Sequence, residues 1–245
     1  MLNALLLAVS TLTIIPLSPD PALKSTTFKQ SMIFYPWVGL LIGFFIALPR
    51  WLSLPVSLTS FWVLLFWVFF TRALHLDGVA DCLDGWLGGK NASDRKRIMK
   101  DPSIGTFGLV GIVLLILGKY LLLTHLLTFN SNWRWLLIIP VLSRWAVTFS
   151  STISKSPVQT SGLGASYIPL PLSFFWISTL ETIGIGLLIL HLAIFIPWLI
   201  AGLVAWGVTY LSKTLLGGLT GDGLGFIIEL SELLILTYLS LGFRG

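Results

Sequence analysis

The chain has 245 residues, 56% of them hydrophobic and 10% charged, with a mean hydropathy of +0.93, whereas a soluble domain carries about 25% charged residues. Water is therefore excluded as its main solvent, and the length leaves room for six to eight helices of about 20 apolar residues but for no sizeable soluble domain. The net charge of +5 does not point to nucleic acid, because the basic residues are scattered over short loops instead of gathered on one face; the lone Cys82 excludes an intramolecular disulfide and any Cys/His zinc pattern.

In chain order, apolar runs bounded by Pro, Gly or charge occupy about 2–15, 32–49, 56–74, 104–127, 134–152, 172–193, 194–211 and 224–242. The first has no basic residue ahead of it, which argues against a cleaved signal peptide, and reads as a short membrane or re-entrant helix. Residues 172–211 lack a polar break near 193 and contain Pro197, so they form either a tight hairpin or one long broken helix. The expectation is an all-α, polytopic membrane bundle of about seven or eight segments, one domain over 1–245. If the polar stretch near 72–103 faces the cytoplasm, alternation places Lys24, Lys29, Arg72, Lys90, Arg95, Lys96, Arg97, Lys100, Lys155 and Lys213 on that side and only Arg50, Arg134 and Arg244 on the other. That imbalance fits the positive-inside rule.

The acids are the most informative residues. Asp77, Asp81, Asp84, Asp94 and Asp101 fall in one stretch and Asp222, Glu229 and Glu232 in another, leaving only Asp20 and Glu181 elsewhere. Carboxylates in or near a bilayer are costly and mark functional sites or pathways. Residues 75–85, HLDGVADCLDG, place Asp77, Asp81 and Asp84 on one stripe of a helix with an apolar opposite face. Three such carboxylates repel one another, so a cation should neutralise them. Oxygen-only ligands point to a hard divalent ion, Mg2+ first, since it is held by one or two carboxylates together with substrate phosphates.

Residues 217–232, GGLTGDGLGFIIELSE, are a glycine-rich loop running into an apolar helix. Thr220 and Asp222 are candidate caps, and Gly221 and Gly225 would let backbone N–H groups approach a phosphate at the helix N-terminus. Asp222 and Glu229 share a face, with Glu232 a turn deeper. Between the two acidic stretches lie Arg95, Lys96, Arg97 and Lys100, and basic groups beside a metal-binding acid stripe suit pyrophosphate chemistry. Asp94 reads as a helix cap, Arg95 and Lys96 as topology or site residues, and His75 as a base or a capping residue. Lys119 and Arg144, deep in apolar runs, are placed to offset the acids. Gly162 and Gly164 form a substrate loop or a turn, and Glu181, His125 and His191 read as structural.

Taken together, FYPWVGLLIG at 34–43, HLDGVADCLDG at 75–85, RIMKDPSIGTFG at 97–108, Lys119, Arg144, Gly162, Gly164 and the 217–232 stretch resemble the cobalamin synthase family, adenosylcobinamide-GDP ribazoletransferases, over nearly the whole length. The resemblance implies a magnesium-dependent enzyme of the inner membrane whose active-site segment, about 72–108, faces the cytoplasm. Its reaction would join α-ribazole, or α-ribazole 5′-phosphate, to adenosylcobinamide-GDP with release of GMP. Under it, Asp77, Asp81, Asp84 and Asp222 would hold Mg2+, Glu229 and Glu232 would complete the metal site or activate the ribazole hydroxyl, and Arg97, Lys100, Lys119, Arg144 and Lys213 would neutralise phosphate. Residues 155–160 and Pro102 depart from the family pattern by lacking two phosphate-side cations. Two other readings compete: a CDP-alcohol phosphotransferase, which loses because Ala80 is followed by Asp81 and not by arginine, and an ion-coupled transporter, motivated by Glu229, Glu232, Lys119 and Arg144.

Overall fold

The structure, a computed structural model, describes residues 1–20, 24–129, 132–155 and 163–242. Among them are α1 (Leu2–Leu12), α2 (Ser25–Ser31), α3 (Tyr35–Ala47), α4 (Val56–Phe70), α5 (Leu74–Gly88), α6 (Ala92–Ile98), α7 (Thr106–Phe129), α8 (Arg134–Ile153), α9 (Leu172–Leu190), α10 (Phe195–Leu216) and α11 (Gly221–Gly242), with short 3-10 turns between several and no strand. The hub is α8: 78% of its apolar window is buried, against 22% for α7, and α3, α9, α10 and α11 all pack on it. Its tightest neighbour is α3, because Gly39 and Gly43 bring that backbone onto Pro140, Val141 and Leu137. Small residues serve this purpose between apolar helices, where close packing has to replace hydrophobic driving force.

Five apolar helical stretches are long enough to cross a membrane, or six if the bent pair α4 and α5 counts as one. The longest, Leu172–Leu216, has 45 residues and as one straight rod would reach roughly 68 Å, about twice a hydrocarbon core. It is instead a hairpin. His191, at φ 53°, breaks it, and Trp145 of α8 touches both arms, donating to Thr179 Oγ1 at 2.9 Å and lying 4.9 Å from the Trp198 ring. A continuous helix would hold residues 179 and 198 roughly 28 Å apart. Separating α9 from α10 adds one more span, and the 11-residue α1, only about 16 Å long, is too short to cross, so the expected seven or eight segments describe the bundle well.

Alternation along these helices sorts the basic residues by end. Arg50 and Arg134 lie at one end, where Trp51 and Trp133 pack 5.5 Å apart. At the other end, Arg72 Nη2 donates to Ser10 O, Ile14 N to Phe70 O, Leu219 N to Lys155 O and Arg95 Nη1 to Leu215 O, which gathers the loops carrying the remaining described Lys and Arg apart from Lys119 and Arg144. Arg244 and Gly162 lie outside the described residues.

Those two internal cations form a network in the bundle interior. Lys119 Nζ donates to Glu229 Oε2 and Glu232 Oε2, each at 2.6 Å, and lies 4.8 Å from the centre of the Trp67 ring. Glu232 Oε1 accepts from Ser143 Oγ at 3.0 Å and is ion-paired with Arg144. All four ionised groups are at least nine-tenths buried, and two positive charges balance two negative ones across α7, α8 and α11. Removing one partner of a buried pair leaves an uncompensated charge and costs about 3–5 kcal/mol. Lys119→Met should therefore lower the thermal midpoint of the detergent-solubilised protein sharply, and adding Glu229→Gln should recover part of the loss. A single variant as stable as the native chain would show that the network does not hold the spans together.

Candidate active site

A sharp corner opens the acid-bearing helix. Arg72 and Ala73 both adopt left-handed backbone, φ 55° and 53°, a conformation that side chains disfavour, and α5 leaves α4 at 84°. Asp77, Asp81 and Asp84 are thereby carried on a helix that does not continue the path of α4. Its apolar face, Leu76, Val79 and Leu83, packs with Leu115 and Phe226, while Trp86 meets Phe226 at 4.9 Å.

Glycines decide how near α11 can come. A methyl group on Gly78 would stand 2.7 Å from the Asp222 carbonyl oxygen, and one on Gly225 would stand 3.3 Å from His75 Cα, so the two helices touch backbone to backbone at Gly78–Asp222 and His75–Gly225. This contact unites the two acidic stretches. Asp81 lies within electrostatic reach of Asp222 first and then of Asp77 and Asp84, and Asp222 within reach of Asp77. Thr220 begins α11 by accepting from Gly223 N at 3.2 Å, as its capping assignment requires.

Asp84 does something else. Its oxygens accept from Gly105 N at 2.7 Å and Gly108 N at 2.9 Å, and the residue is 9% exposed. It satisfies the free N–H groups at the start of α7 and fixes the 101–108 stretch, so the structure does not place it with Asp77, Asp81 and Asp222 as a free metal ligand. The reason is length: a stripe from Asp77 to Asp84 extends roughly 10 Å along a helix, far beyond one coordination shell.

Beside the acids, α6 is capped by Asn91, whose Oδ1 accepts from Asp94 N at 2.9 Å. Asp94 accepts from Arg97 Nη2 at 2.7 Å and from Lys90 N at 3.1 Å, and these bonds, Arg97's above all, hold its carboxyl below the usual range. Arg97 is thus turned outward onto Asp94, and its neighbour Lys96 is turned inward. Lys96 and Lys100 line a cavity of about 550 Å³ together with Asp77, Asp222, Thr220 and Gly221. Exposed Asp77, Lys100 and Gly221 mark its mouth; buried His75 and Tyr35 mark its depth.

Of the residues expected at the site, Asp77, Asp222, Lys100, Gly221 and Gly225 line this cavity, and half-buried Asp81 is in electrostatic reach of the first two. Gly164, in the short 3-10 helix Leu163–Tyr167, also lines it, against Gly221. Glu229, Glu232, Lys119 and Arg144 are in the interior network instead, because Glu229 and Glu232 sit roughly 10 and 15 Å deeper along α11 than Asp222, where only paired charges are tolerated. Gly225 lines the cavity where it packs on His75, whereas Lys213, exposed on the last turn of α10, does not line it. Tyr35 and Tyr167 are cavity residues that the sequence did not single out; the position of Tyr35 inside the 34–43 stretch was the available signal. No three Asp, Glu, His or Cys side chains among the described residues stand close enough to cage a metal. What remains is an oxygen-only donor set of one or two carboxylates at a time, which suits Mg2+ completed by water and phosphate and does not suit a closed calcium or zinc site.

A family model described as cobalamin-5-phosphate synthase matches residues 4–240. Among curated relatives, the adenosylcobinamide-GDP ribazoletransferase of Thermoanaerobacter sp. (strain X514) is 32% identical over 239 residues, 95% of this chain and 94% of the relative. Proteins of the same name from Acinetobacter baumannii (strain ACICU) and Desulfitobacterium hafniense (strain Y51) are each 35% identical, the first over 95% of both chains and the second over 96% of this chain and 95% of its own. No solved structure matches this chain closely enough to establish kinship. With its apolar spans and two converging acidic stretches matched from end to end, the chain belongs to the cobalamin-5-phosphate synthase family.

Proposed function

We propose that this chain is a phospho-group transferase that joins ribazole, or its 5′-phosphate, to adenosylcobinamide-GDP and releases GMP. The observation that carries the reading is the backbone contact of α5 with α11, which sets Asp77 and Asp222 beside Lys96 and Lys100 at one cavity, with half-buried Asp81 in electrostatic reach of both carboxylates. The relatives' names supply the substrates. In the reaction, a ribazole hydroxyl oxygen bonds to the phosphorus nearer cobinamide. The bond from that phosphorus to the bridging oxygen breaks, GMP leaves with the electron pair, and the hydroxyl proton passes to a carboxylate or to water.

One or two of Asp77, Asp81 and Asp222 at a time would hold Mg2+, which when bound supplies positive charge to the diphosphate. Lys96 and Lys100 neutralise further phosphate charge, and the N-terminus of α11 at Thr220 and Gly221 adds its partial positive charge to the same space. Asp84 positions the 101–108 stretch through its two backbone bonds. The segment 72–108 is then the active-site segment of a single membrane-embedded transferase domain, and the excess of Lys and Arg at its end of the bundle supports a site facing the cytoplasm from the inner membrane. Transport is disfavoured, because Glu229 and Glu232 are both ion-paired and offer no free carboxylate on a path through the bundle.

Asp81→Asn or Asp222→Asn should slow GMP release by about 100-fold, the scale of a lost charge-stabilising group, while the protein still elutes as a folded species in detergent. Chelation should abolish turnover and added Mg2+ restore it; full activity in either variant, or indifference to chelation, would contradict the assignment. Lys96→Ala and Lys100→Ala should each raise KM for adenosylcobinamide-GDP about tenfold. Arg97→Ala should leave it unchanged, and steady-state kinetics on the three variants would expose the reverse order if the inward lysine is misassigned.

A further inference from the structure

Away from the carboxylates the cavity changes character. Its wall there is mainly hydrocarbon and aromatic, with Leu7, Thr11 and Leu12 of α1, Phe28 of α2, Ile228 of α11, and the rings of Tyr35 and Tyr167. Phe28 meets Tyr167 edge to face, 5.5 Å between centroids at 83°, and Tyr35 lies 6.3 Å from Tyr167 at 51°. The tyrosine hydroxyls are engaged within the wall, Tyr35 with Tyr167 and Ser31, and Tyr167 also with Thr11. What they leave to the cavity is mainly carbon surface.

A group lying against this wall gains from ring contact and loses wherever it buries a polar edge without a partner. Two aromatic groups take part in the proposed reaction. Guanine carries donors and acceptors along its edge for which this wall, its hydroxyls engaged with one another, offers few partners, whereas the benzimidazole of ribazole is a flat bicycle with almost no hydrogen-bonding requirement. Size agrees, since about 550 Å³ is the volume of a pocket for a drug-sized ligand. It accommodates a nucleoside and leaves the far larger corrin macrocycle outside, at the water boundary. The short α1 has a task on this view: ending before it could cross, it closes the apolar side of the cavity.

We propose that Phe28, Tyr35 and Tyr167 form the subsite for the apolar bicyclic base of the acceptor nucleoside, with the ribose turned toward Asp77 and Asp222. The proposal rests on the transferase reading given above and adds which substrate enters the membrane-buried half of the site. It makes these aromatic residues specificity determinants, favouring benzimidazole over purine ribosides.

The test uses the full-length protein in detergent with benzimidazole riboside, a purine riboside of the same anomeric form, and adenosylcobinamide-GDP. Phe28→Ala and Tyr167→Ala should raise KM for the benzimidazole riboside by about 5- to 100-fold, the range for losing one base–aromatic contact, leave KM for adenosylcobinamide-GDP unchanged, and narrow the preference over the purine riboside. Tyr167→Phe, which keeps the ring, should stay within about twofold of the native value. A rise confined to KM for adenosylcobinamide-GDP would put guanine on the wall and overturn the proposal, as would a fall in kcat alone. Equilibrium binding of benzimidazole riboside without the corrinoid separates the two levels. Native binding that Phe28→Ala weakens supports the subsite even if no GMP forms, and absence of native binding sinks the subsite even if GMP does form.

Discussion

The approach of α5 to α11 at Gly78–Asp222 and His75–Gly225 is the contact on which the site depends. A side chain at either glycine would push the helices apart, and with them Asp77 and Asp81 from Asp222. Those residues are more than 130 positions apart in the chain, so nothing local brings them together. The corner at Arg72 and Ala73 serves the same end by swinging α5 out of line with α4. The carboxylates can then be presented at the exposed mouth of the cavity instead of in hydrocarbon, where each unpaired charge would be costly.

Charge is handled in two ways along one helix. At the start of α11, Asp222 is left half-buried among other acids and free to meet a cation. Two and three turns deeper, Glu229 and Glu232 are neutralised by Lys119 and Arg144, and they lock α7 and α8 to the helix that carries Asp222. The interior network thus acts on the site by fixing where α11 lies, while the chemistry proposed above needs only the groups nearer water. His75 lines the cavity and also feels Arg144 and Glu232, so the two regions are adjacent without being the same site.

Much of this was legible in the residues. Apolar run length marked the spans, because a bilayer imposes a minimum that short helices such as α1 fail to meet, and the clustering of acids marked the two segments that meet. Helical periodicity put Asp77, Asp81 and Asp84 on one stripe but carries no information about the axial partner of each, so the capture of Asp84 by Gly105 and Gly108 was not readable. The same limit hid the depth of Glu229 and Glu232, although the placement of Lys119 and Arg144 to offset acids was visible from their apolar surroundings. On a helix as short as α6, with no buried residue of its own, no apolar face distinguishes inward Lys96 from outward Arg97; only the Asp94–Arg97 pair does. The aromatic wall was hidden for a different reason, since Phe28, Tyr35 and Tyr167 come from separate elements and aromatic residues are common throughout membrane proteins.

The most direct test of the central claim is a double-mutant cycle on GMP release with Asp81→Asn and Asp222→Asn, singly and together. If both carboxylates serve one cation on one diphosphate, their effects are strongly non-additive and the double variant is about as slow as the slower single. Should the two losses multiply instead, the acidic stretches act independently and the shared site is contradicted.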